Sequence, residues 1–354
     1  MTPELGLIEG FFGRPFSWPE RQELIRFLAP HGFGFYLYAP KADPFLRRRW
    51  AESYPTETIS RIAAFGADCR QAKVRFGIGL SPFEIHLHPG KAWQSPLADK
   101  LAELDGTGLD DLAILFDDMR GDVEELAERQ AAIVHFAAER SKATRILCCP
   151  SYYSDDLVLD SAFGQRPDHY LEDLGRILDP AIEVMWTGEE VVSQEFSAGH
   201  LNRVGAQLRR KPFLWDNYPV NDGARMSQHL HLRAFAGRPG ALASLVSAHG
   251  INLASQPWLS RIPALSLAES YERGDAYEYG AAFVRAAETV LGAKLADCVR
   301  RDLLTLQDRG LDRLGDRRER LRDRYLAFDH PAAREIAAWL DGDWTVDETL
   351  VQTQ

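Results

Sequence analysis

Residues 5–40, LGLIEGFFGRPFSWPERQELIRFLAPHGFGFYLYAP, contain two short apolar runs separated by an amphipathic segment. The runs LGLIEGFF and GFYLYAP have the length and composition of buried strands. In the segment between them, Ser17 is a favourable N-cap and Glu20, three positions later, completes a capping box. The apolar face of the predicted helix consists of Leu24, Ile25, Phe27 and Leu28. Strand, helix and strand in this order predict a parallel βαβ unit.

The same pattern repeats along the rest of the chain. Six further predicted strands occupy residues 75–82, 112–118, 145–153, 182–188, 212–217 and 248–252. Eight strands that alternate with helices predict an α/β fold, a closed (β/α)8 TIM barrel. We predict that this barrel occupies residues 1–270. Residues 271–354 carry helical periodicity without a strand signal, and we predict that they form a small all-α C-terminal domain.

Charge and cysteine content narrow the possible functions and locations. The formal net charge of −11 over 354 residues opposes binding to nucleic acid or to an anionic membrane surface. The sequence starts without the pattern of a secretory signal and contains no apolar stretch of membrane-spanning length. The four cysteines lack metal-type spacing and favour a reducing environment, so a cytoplasmic location is expected. The sequence does not indicate an oligomeric state.

The predicted fourth strand, within LAILFDDM at residues 112–119, ends on the adjacent acids Asp117 and Asp118. Two carboxyl groups that lie close together have different pKa values, because the charge of one disfavours ionisation of the other. One of them therefore keeps its proton to a higher pH, which suits proton transfer. A turn or a helix cap would also explain an acid at a strand end. In a TIM barrel, however, the carboxyl ends of the strands form the active-site face. Polar and tryptophan side chains follow several of the other predicted strands, a composition that suits a small polyhydroxylated ligand.

Six segments, in chain order, resemble the signature segments of glycoside hydrolase family 84, the O-GlcNAcase and bacterial β-N-acetylglucosaminidase family. They are GLIEGFFGRPFSW, YLYAPKADP, LFDDM, CCPSYY, MWTGEEVVS and LWDNYPVND, between residues 6 and 222. The resemblance implies a retaining exo-β-N-acetylglucosaminidase that acts on an N-acetylglucosamine-containing glycoconjugate without a metal or cofactor. In this family the 2-acetamido oxygen of the substrate is the nucleophile, which is an exception to the usual pair of catalytic carboxylates.

The resemblance also implies roles for individual residues. Asp117 would orient and polarise the acetamido N–H, and Asp118 would act first as general acid and then as general base. The implied substrate-binding residues are Gly10, Lys41, Tyr153, Trp215, Asn217, Asp222 and Asn252. Asn252 departs from the family pattern, because the following residue is Leu253 and not proline.

Two other functions remain open at this point. The H-x-H pairs His86 with His88 and His229 with His231 have a spacing that metal-dependent barrel hydrolases use. A catalytically silent N-acetylglucosamine-binding barrel would keep the same pocket, although binding alone gains nothing from two adjacent acids.

Overall fold

The structure, a computed structural model, describes residues 2–88 and 90–346, so residues 347–354 of the predicted second domain lie outside the described residues. Eight parallel strands form a closed barrel in chain order, which confirms the predicted (β/α)8 fold. The strands are Glu4–Glu9 (β1), Phe33–Tyr38 (β2), Arg75–Leu80 (β3), Asp111–Leu115 (β4), Arg145–Cys149 (β5), Glu183–Trp186 (β6), Phe213–Asp216 (β7) and Ala248–Asn252 (β8). Pairing of Leu5 with His249 and of Ile8 with Asn252 joins β1 to β8 and closes the barrel.

Helices surround the barrel and continue beyond it. They are Trp18–Leu28 (α1), Thr56–Gln71 (α2), Gln94–Asp105 (α3), Leu126–Arg140 (α4), Val158–Phe163 (α5), Tyr170–Ile177 (α6), Ala198–Leu208 (α7), Arg261–Arg273 (α8), Tyr279–Leu303 (α9), Arg317–Leu326 (α10) and Pro331–Asp341 (α11). A π-helical turn, Leu304–Arg309, extends α9.

Helix α1 begins where the capping signal predicts. The Ser17 hydroxyl accepts a hydrogen bond from the Glu20 backbone N–H, and the Glu20 carboxylate accepts one from the Ser17 N–H at 2.6 Å. Leu24, Ile25 and Leu28 are buried against the barrel. The local capping signal and the apolar periodicity therefore agree with the tertiary packing of this helix.

Seven of the eight strands end earlier than the apolar runs suggest. The predicted fifth strand covers residues 145–153, for example, whereas β5 ends at Cys149. The residues after Cys149 are buried in a loop, and Tyr153 lies in that loop. Burial continues past the last strand pairing because these loops pack over the end of the barrel. An apolar run in the sequence indicates buried residues, whether they lie in a strand or in a loop.

The C-terminal helices pack against loops at the carboxyl ends of the strands. The Glu335 carboxylate, on α11, accepts hydrogen bonds from the backbone N–H groups of Trp258 and Leu259 at 2.9 and 3.0 Å. Trp339, also on α11, donates its indole N–H to the Ser227 carbonyl at 3.1 Å. One hydrophobic core contains buried residues of both the barrel and these helices. The domain boundary after residue 270 stays a prediction.

Within residues 2–88 and 90–346, no helix is long and apolar enough to cross a membrane.

Candidate active site

All nine predicted site residues line one pocket at the carboxyl ends of the strands. The pocket encloses about 490 Å³ of open space. Its lining includes the predicted residues Gly10, Lys41, Asp117, Asp118, Tyr153, Trp215, Asn217, Asp222 and Asn252. The sequence reasoning missed the other lining residues, which are Phe12, Cys149, Thr187, Val191, Val192 and Val220.

The two adjacent acids lie just beyond β4, on a backbone that Arg47 holds in place. Asp118 has φ of 55°, in the left-handed region that residues other than glycine rarely adopt. The Arg47 guanidinium donates to the Asp118 carbonyl at 3.0 Å and lies 3.5 Å from the Asp117 carbonyl. It also donates to the Ser81 hydroxyl at 2.9 Å. These contacts direct the two consecutive side chains into the same pocket. No local pattern distinguishes Arg47, because it is one of three consecutive arginines in LRRRW.

Asp117 is a buried carboxylate that is paired with a lysine. Its Oδ2 accepts a short hydrogen bond from the Lys41 ammonium, and both side chains are almost fully buried. Its Oδ1 is also buried and has no hydrogen-bond partner among the described residues. A buried carboxylate oxygen without a donor is costly, so this atom marks the place where a ligand N–H or O–H fits.

Asp118 has the environment of an acid that keeps its proton. Desolvation by the pocket walls, and next the charge of Asp117, raise the pKa of the Asp118 carboxyl above its usual range. The charges of Lys41 and Arg47 act in the opposite direction, as does the hydrogen bond from Tyr153. Tyr153 donates its hydroxyl to Asp118 Oδ1 at 3.0 Å. The adjacent acids therefore differ: Asp117 is paired with a cation, whereas Asp118 lies at the partly exposed edge of the pocket.

The opposite wall of the pocket is a hydrogen-bonded chain that joins β7, β8 and β1. The Trp215 indole N–H and the Asn252 amide both donate to Asn217 Oδ1 at 2.9 Å. Asn252 Oδ1 in turn accepts from the Gly10 backbone N–H at 3.1 Å. The Asn217 amide donates to the Val191 carbonyl at 2.8 Å. Asn252 therefore holds this wall together although leucine follows it.

Gly10 packs closely against the Trp215 ring. A Cβ atom at position 10 would lie 2.3 Å from Trp215 Cζ2, which is closer than such atoms can approach. Glycine at this position is therefore a steric requirement of the pocket wall and places the Trp215 ring.

Asp222 brings a third carboxyl group to the pocket. Its Oδ2 accepts a hydrogen bond from the Phe12 backbone N–H at 2.8 Å. Burial raises the pKa of Asp222 to about 6, and the charge of Asp118 acts in the same direction. Asp222 lies in the loop after β7 and Phe12 in the loop after β1, so this contact fixes two loops that both line the pocket.

Two other polar strand-end residues, Glu9 and Trp186, are structural. The Glu9 carboxylate accepts two hydrogen bonds from Arg21 at 2.7 Å and one from the Tyr36 hydroxyl at 2.6 Å, all buried. Trp186 is buried and donates its indole N–H to His200 at 2.9 Å. Neither residue lines the pocket.

Several histidines of the two H-x-H pairs contact backbone carbonyls. The His86 ring lies 2.6 Å from the Arg120 carbonyl, and the His231 ring lies 2.9 Å from that of Pro219. The His229 ring lies 2.8 Å from the Gln307 carbonyl. Among the described residues, no group of three or more histidine, cysteine, aspartate or glutamate side chains has the arrangement of a metal site.

The chain resembles several known proteins in sequence and in fold. The sequence profile of the β-N-acetylglucosaminidase family matches residues 5–304. The protein O-GlcNAcases of Rattus norvegicus and Mus musculus are 32% and 31% identical over 244 residues, which cover 66% of this chain and 26% of each relative. The matched region thus spans about a quarter of the length of these relatives. A solved structure of a mutant O-GlcNAc hydrolase from Thermobaculum terrenum aligns with this chain at a TM-score of 0.79 and 26% sequence identity. The alignment covers 95% of this chain and 80% of the hydrolase chain. Since the family profile covers most of its length, the chain belongs to the β-N-acetylglucosaminidase family, glycoside hydrolase family 84.

Proposed function

We propose that the protein is a retaining exo-β-N-acetylglucosaminidase that releases terminal β-linked N-acetylglucosamine from glycoconjugates, sugar-modified proteins among them. The observation that carries this proposal is the buried Oδ1 of Asp117, which has no partner among the described residues and lies beside an acid of raised pKa. One carboxylate is thus available to a substrate N–H, and its neighbour holds a proton for the bond to be broken.

In the first step, the substrate supplies its own nucleophile. The acetamido N–H donates to Asp117 Oδ1, which increases the electron density on the acetamido oxygen. That oxygen attacks the anomeric carbon, and the bond to the aglycone oxygen breaks as Asp118 transfers its proton to the leaving group. The products of this step are a cyclic oxazolinium ion, whose ring N–H donates to the negatively charged Asp117 carboxylate, and the free aglycone.

In the second step, the Asp118 carboxylate takes a proton from water while the water oxygen attacks the anomeric carbon. The bond from that carbon to the acetamido oxygen breaks, and the acetamido group is restored. Two inversions at one carbon give net retention. The buried Lys41 ammonium pairs with Oδ2 of Asp117, which leaves Oδ1 for the acetamido N–H.

The rest of the pocket suits a single sugar ring. The Trp215 ring offers an apolar face for the acetyl methyl, and the Asp222 carboxylate offers acceptor oxygens for ring hydroxyls. The open space of about 490 Å³ accommodates a single sugar ring.

The test uses aryl N-acetyl-β-glucosaminides whose acetyl group carries zero to three fluorine atoms. Fluorine withdraws electrons from the attacking oxygen, so the rate is expected to fall stepwise along the series. A flat series, or a covalent sugar ester trapped on Asp117 or Asp118, would contradict the internal nucleophile. Tight binding without turnover would support a silent binding protein.

The Asp117→Asn variant tests the role of the adjacent acid directly. Its affinity for a thiazoline mimic of the cyclic intermediate is expected to fall at least about tenfold, because a charge-assisted hydrogen bond is lost. Asp312→Asn, at an exposed position outside the pocket, serves as the matched control and should bind the mimic normally. Equal affinities of Asp117→Asn and the parent protein would remove Asp117 from the acetamido site.

A further inference from the structure

A second, larger cavity adjoins the sugar pocket on the side of Asp118. This outer groove encloses about 1510 Å³ of open space, roughly three times that of the sugar pocket. Phe12, Lys41 and Asp118 line both cavities, so the two are continuous at the acid. A leaving group that takes a proton from Asp118 would extend into this groove.

The outer groove has an aromatic wall covered by a guanidinium group. The Arg48 guanidinium lies over the Phe83 ring, 4.6 Å from its centroid. Arg48 is exposed, and within the described parts of the chain it makes no ion pair and no hydrogen bond. The Arg47 guanidinium also approaches the Phe83 ring, 5.3 Å from its centroid, so two cations lie close to this ring.

The other cationic side chains of the outer groove are already engaged. Lys41 pairs with Asp117, and Arg47 donates to the Ser81 hydroxyl and to the carbonyls beside it. Arg120 pairs with Asp122. Arg48 is therefore the cation of the described groove lining that is available to a ligand.

Among the described residues, no acidic side chain of the outer groove forms an ion pair with Arg48. Asp122 is the partner of Arg120, and the charge of Glu84 acts on Arg120 and on His86. Asp118 is the proton donor of the proposed reaction, and burial and the charge of Asp117 raise its pKa. The groove thus offers a flat apolar surface beside an uncompensated positive charge, which complements a ligand with an apolar face and an anionic group.

We propose that the outer groove binds the aglycone and that Arg48 selects conjugates whose aglycone carries a carboxylate next to an apolar face. This inference rests on the proposed function, since it assigns the aglycone of that same reaction. The apolar face of the aglycone packs on Phe83, and the carboxylate pairs with the guanidinium that covers this ring. Arg48 acts on the choice of substrate and takes no part in bond breaking.

The test compares two substrates of one shape, the 3-carboxyphenyl and 3-carbamoylphenyl N-acetyl-β-glucosaminides. They differ in charge at one position of the aglycone, and their phenol leaving groups are closely matched. For the parent protein, we expect kcat/KM to favour the carboxylate about fivefold, the size of an exposed ion pair. The preference should decrease as salt is added, because ions screen an exposed pair.

Variants at position 48 should change the ratio of the two kcat/KM values. The ratio is expected to fall to about 1 in Arg48→Gln and below 1 in Arg48→Glu. Arg49→Gln is the matched control, since Arg49 is the next residue, pairs with Glu52 and does not line the outer groove. Its ratio should equal that of the parent protein.

The outcomes separate this inference from the function on which it rests. Equal cleavage of the two substrates by the parent protein, or a preference that persists in Arg48→Gln, would overturn the inference and leave the proposed function intact. Failure to cleave either substrate would overturn the proposed function and this inference with it.

Discussion

At the scale of single residues, the site depends on two neighbouring carboxyl groups that have different surroundings. Asp117 pairs with the ammonium of Lys41. Asp118 accepts a hydrogen bond from the Tyr153 hydroxyl and lies at the edge of the pocket. Burial in the pocket, and next the charge of Asp117, raise the pKa of the Asp118 carboxyl, whereas the charge of Lys41 lowers it. The positive φ of Asp118 places both side chains in one cavity. Neighbouring residues of a regular strand would point to opposite faces.

Replacement of the proton donor Asp118 should reduce kcat/KM most for substrates with poor leaving groups. We expect Asp118→Asn to lose about 100-fold or more in kcat/KM on a substrate with a weakly acidic leaving group. It should lose far less on an activated aryl glycoside, whose phenolate departs without protonation. The measurement is the slope of log kcat/KM against leaving-group pKa, which should steepen in the variant. Equal losses along the series would assign the proton transfer to another group.

The pH dependence of activity should report Asp222. Since the pKa of Asp222 is about 6, its carboxylate becomes protonated as the pH falls through this value and then accepts sugar hydroxyls less well. We therefore expect kcat/KM to decline below about pH 6. In Asp222→Asn, overall activity should be lower and this acid limb should be absent, because the amide does not titrate. An unchanged limb in the variant would assign it to a different group.

At the scale of elements, the connection from β7 to β8, which carries site residues, is hydrogen-bonded to the π-helical turn that follows α9. Gln307, in the π-helical turn, accepts hydrogen bonds at 2.9 Å from the backbone N–H groups of Leu232 and Arg233. The neighbouring Leu306 carbonyl accepts from the Leu230 N–H at 3.1 Å. The segment held in this way belongs to the connection from β7 to β8, which also carries Asn217 and Asp222.

Removal of the Gln307 amide should therefore affect both stability and sugar binding. Gln307→Ala leaves two backbone N–H groups without their acceptor, at a cost of about 1 to 3 kcal/mol each where they stay buried. We expect a lower melting temperature and a several-fold weaker affinity for an N-acetylglucosamine analogue. Gln307→Glu keeps the acceptor oxygens and should restore the affinity. A lower melting temperature with unchanged affinity would limit Gln307 to a structural role.

Much of this arrangement could be predicted from the sequence, because in a barrel of parallel strands the carboxyl ends meet. Once eight strands were identified, residues such as Lys41, Asp117 and Asn217 had to lie at the same end of the barrel. Arg47 could not be found in this way. It is buried while its neighbours Arg48 and Arg49 are exposed, and only the conformation of the loop distinguishes them. The contacts of Gln307 and Glu335 join segments far apart in sequence and leave no local pattern.

At the scale of the whole molecule, the barrel and the C-terminal helices share the task of forming the site. Strands and their loops supply the side chains of the sugar pocket, and α11 and the π-helical turn hold the loops after β7 and β8. The outer groove is formed mainly by loops that follow the first four strands, among them those that carry Arg48 and Phe83, and by residues 162–164 after β5. The sugar pocket and the outer groove share Phe12, Lys41 and Asp118, whereas Trp215, Asn217, Asp222 and Asn252 line the sugar pocket and not the outer groove.

The hydrogen bond from Gly10 to Asn252 has a consequence for the order of events during folding. It joins residues 242 positions apart, so it requires the closure of a very long loop and forms only when the first and last strands meet. We infer that the complete wall is absent from the folding transition state. A sugar analogue that needs this wall should then leave the refolding rate unchanged and slow the rate of unfolding. For this protein, the bound sugar would therefore stabilise the closed barrel kinetically, by slowing its unfolding.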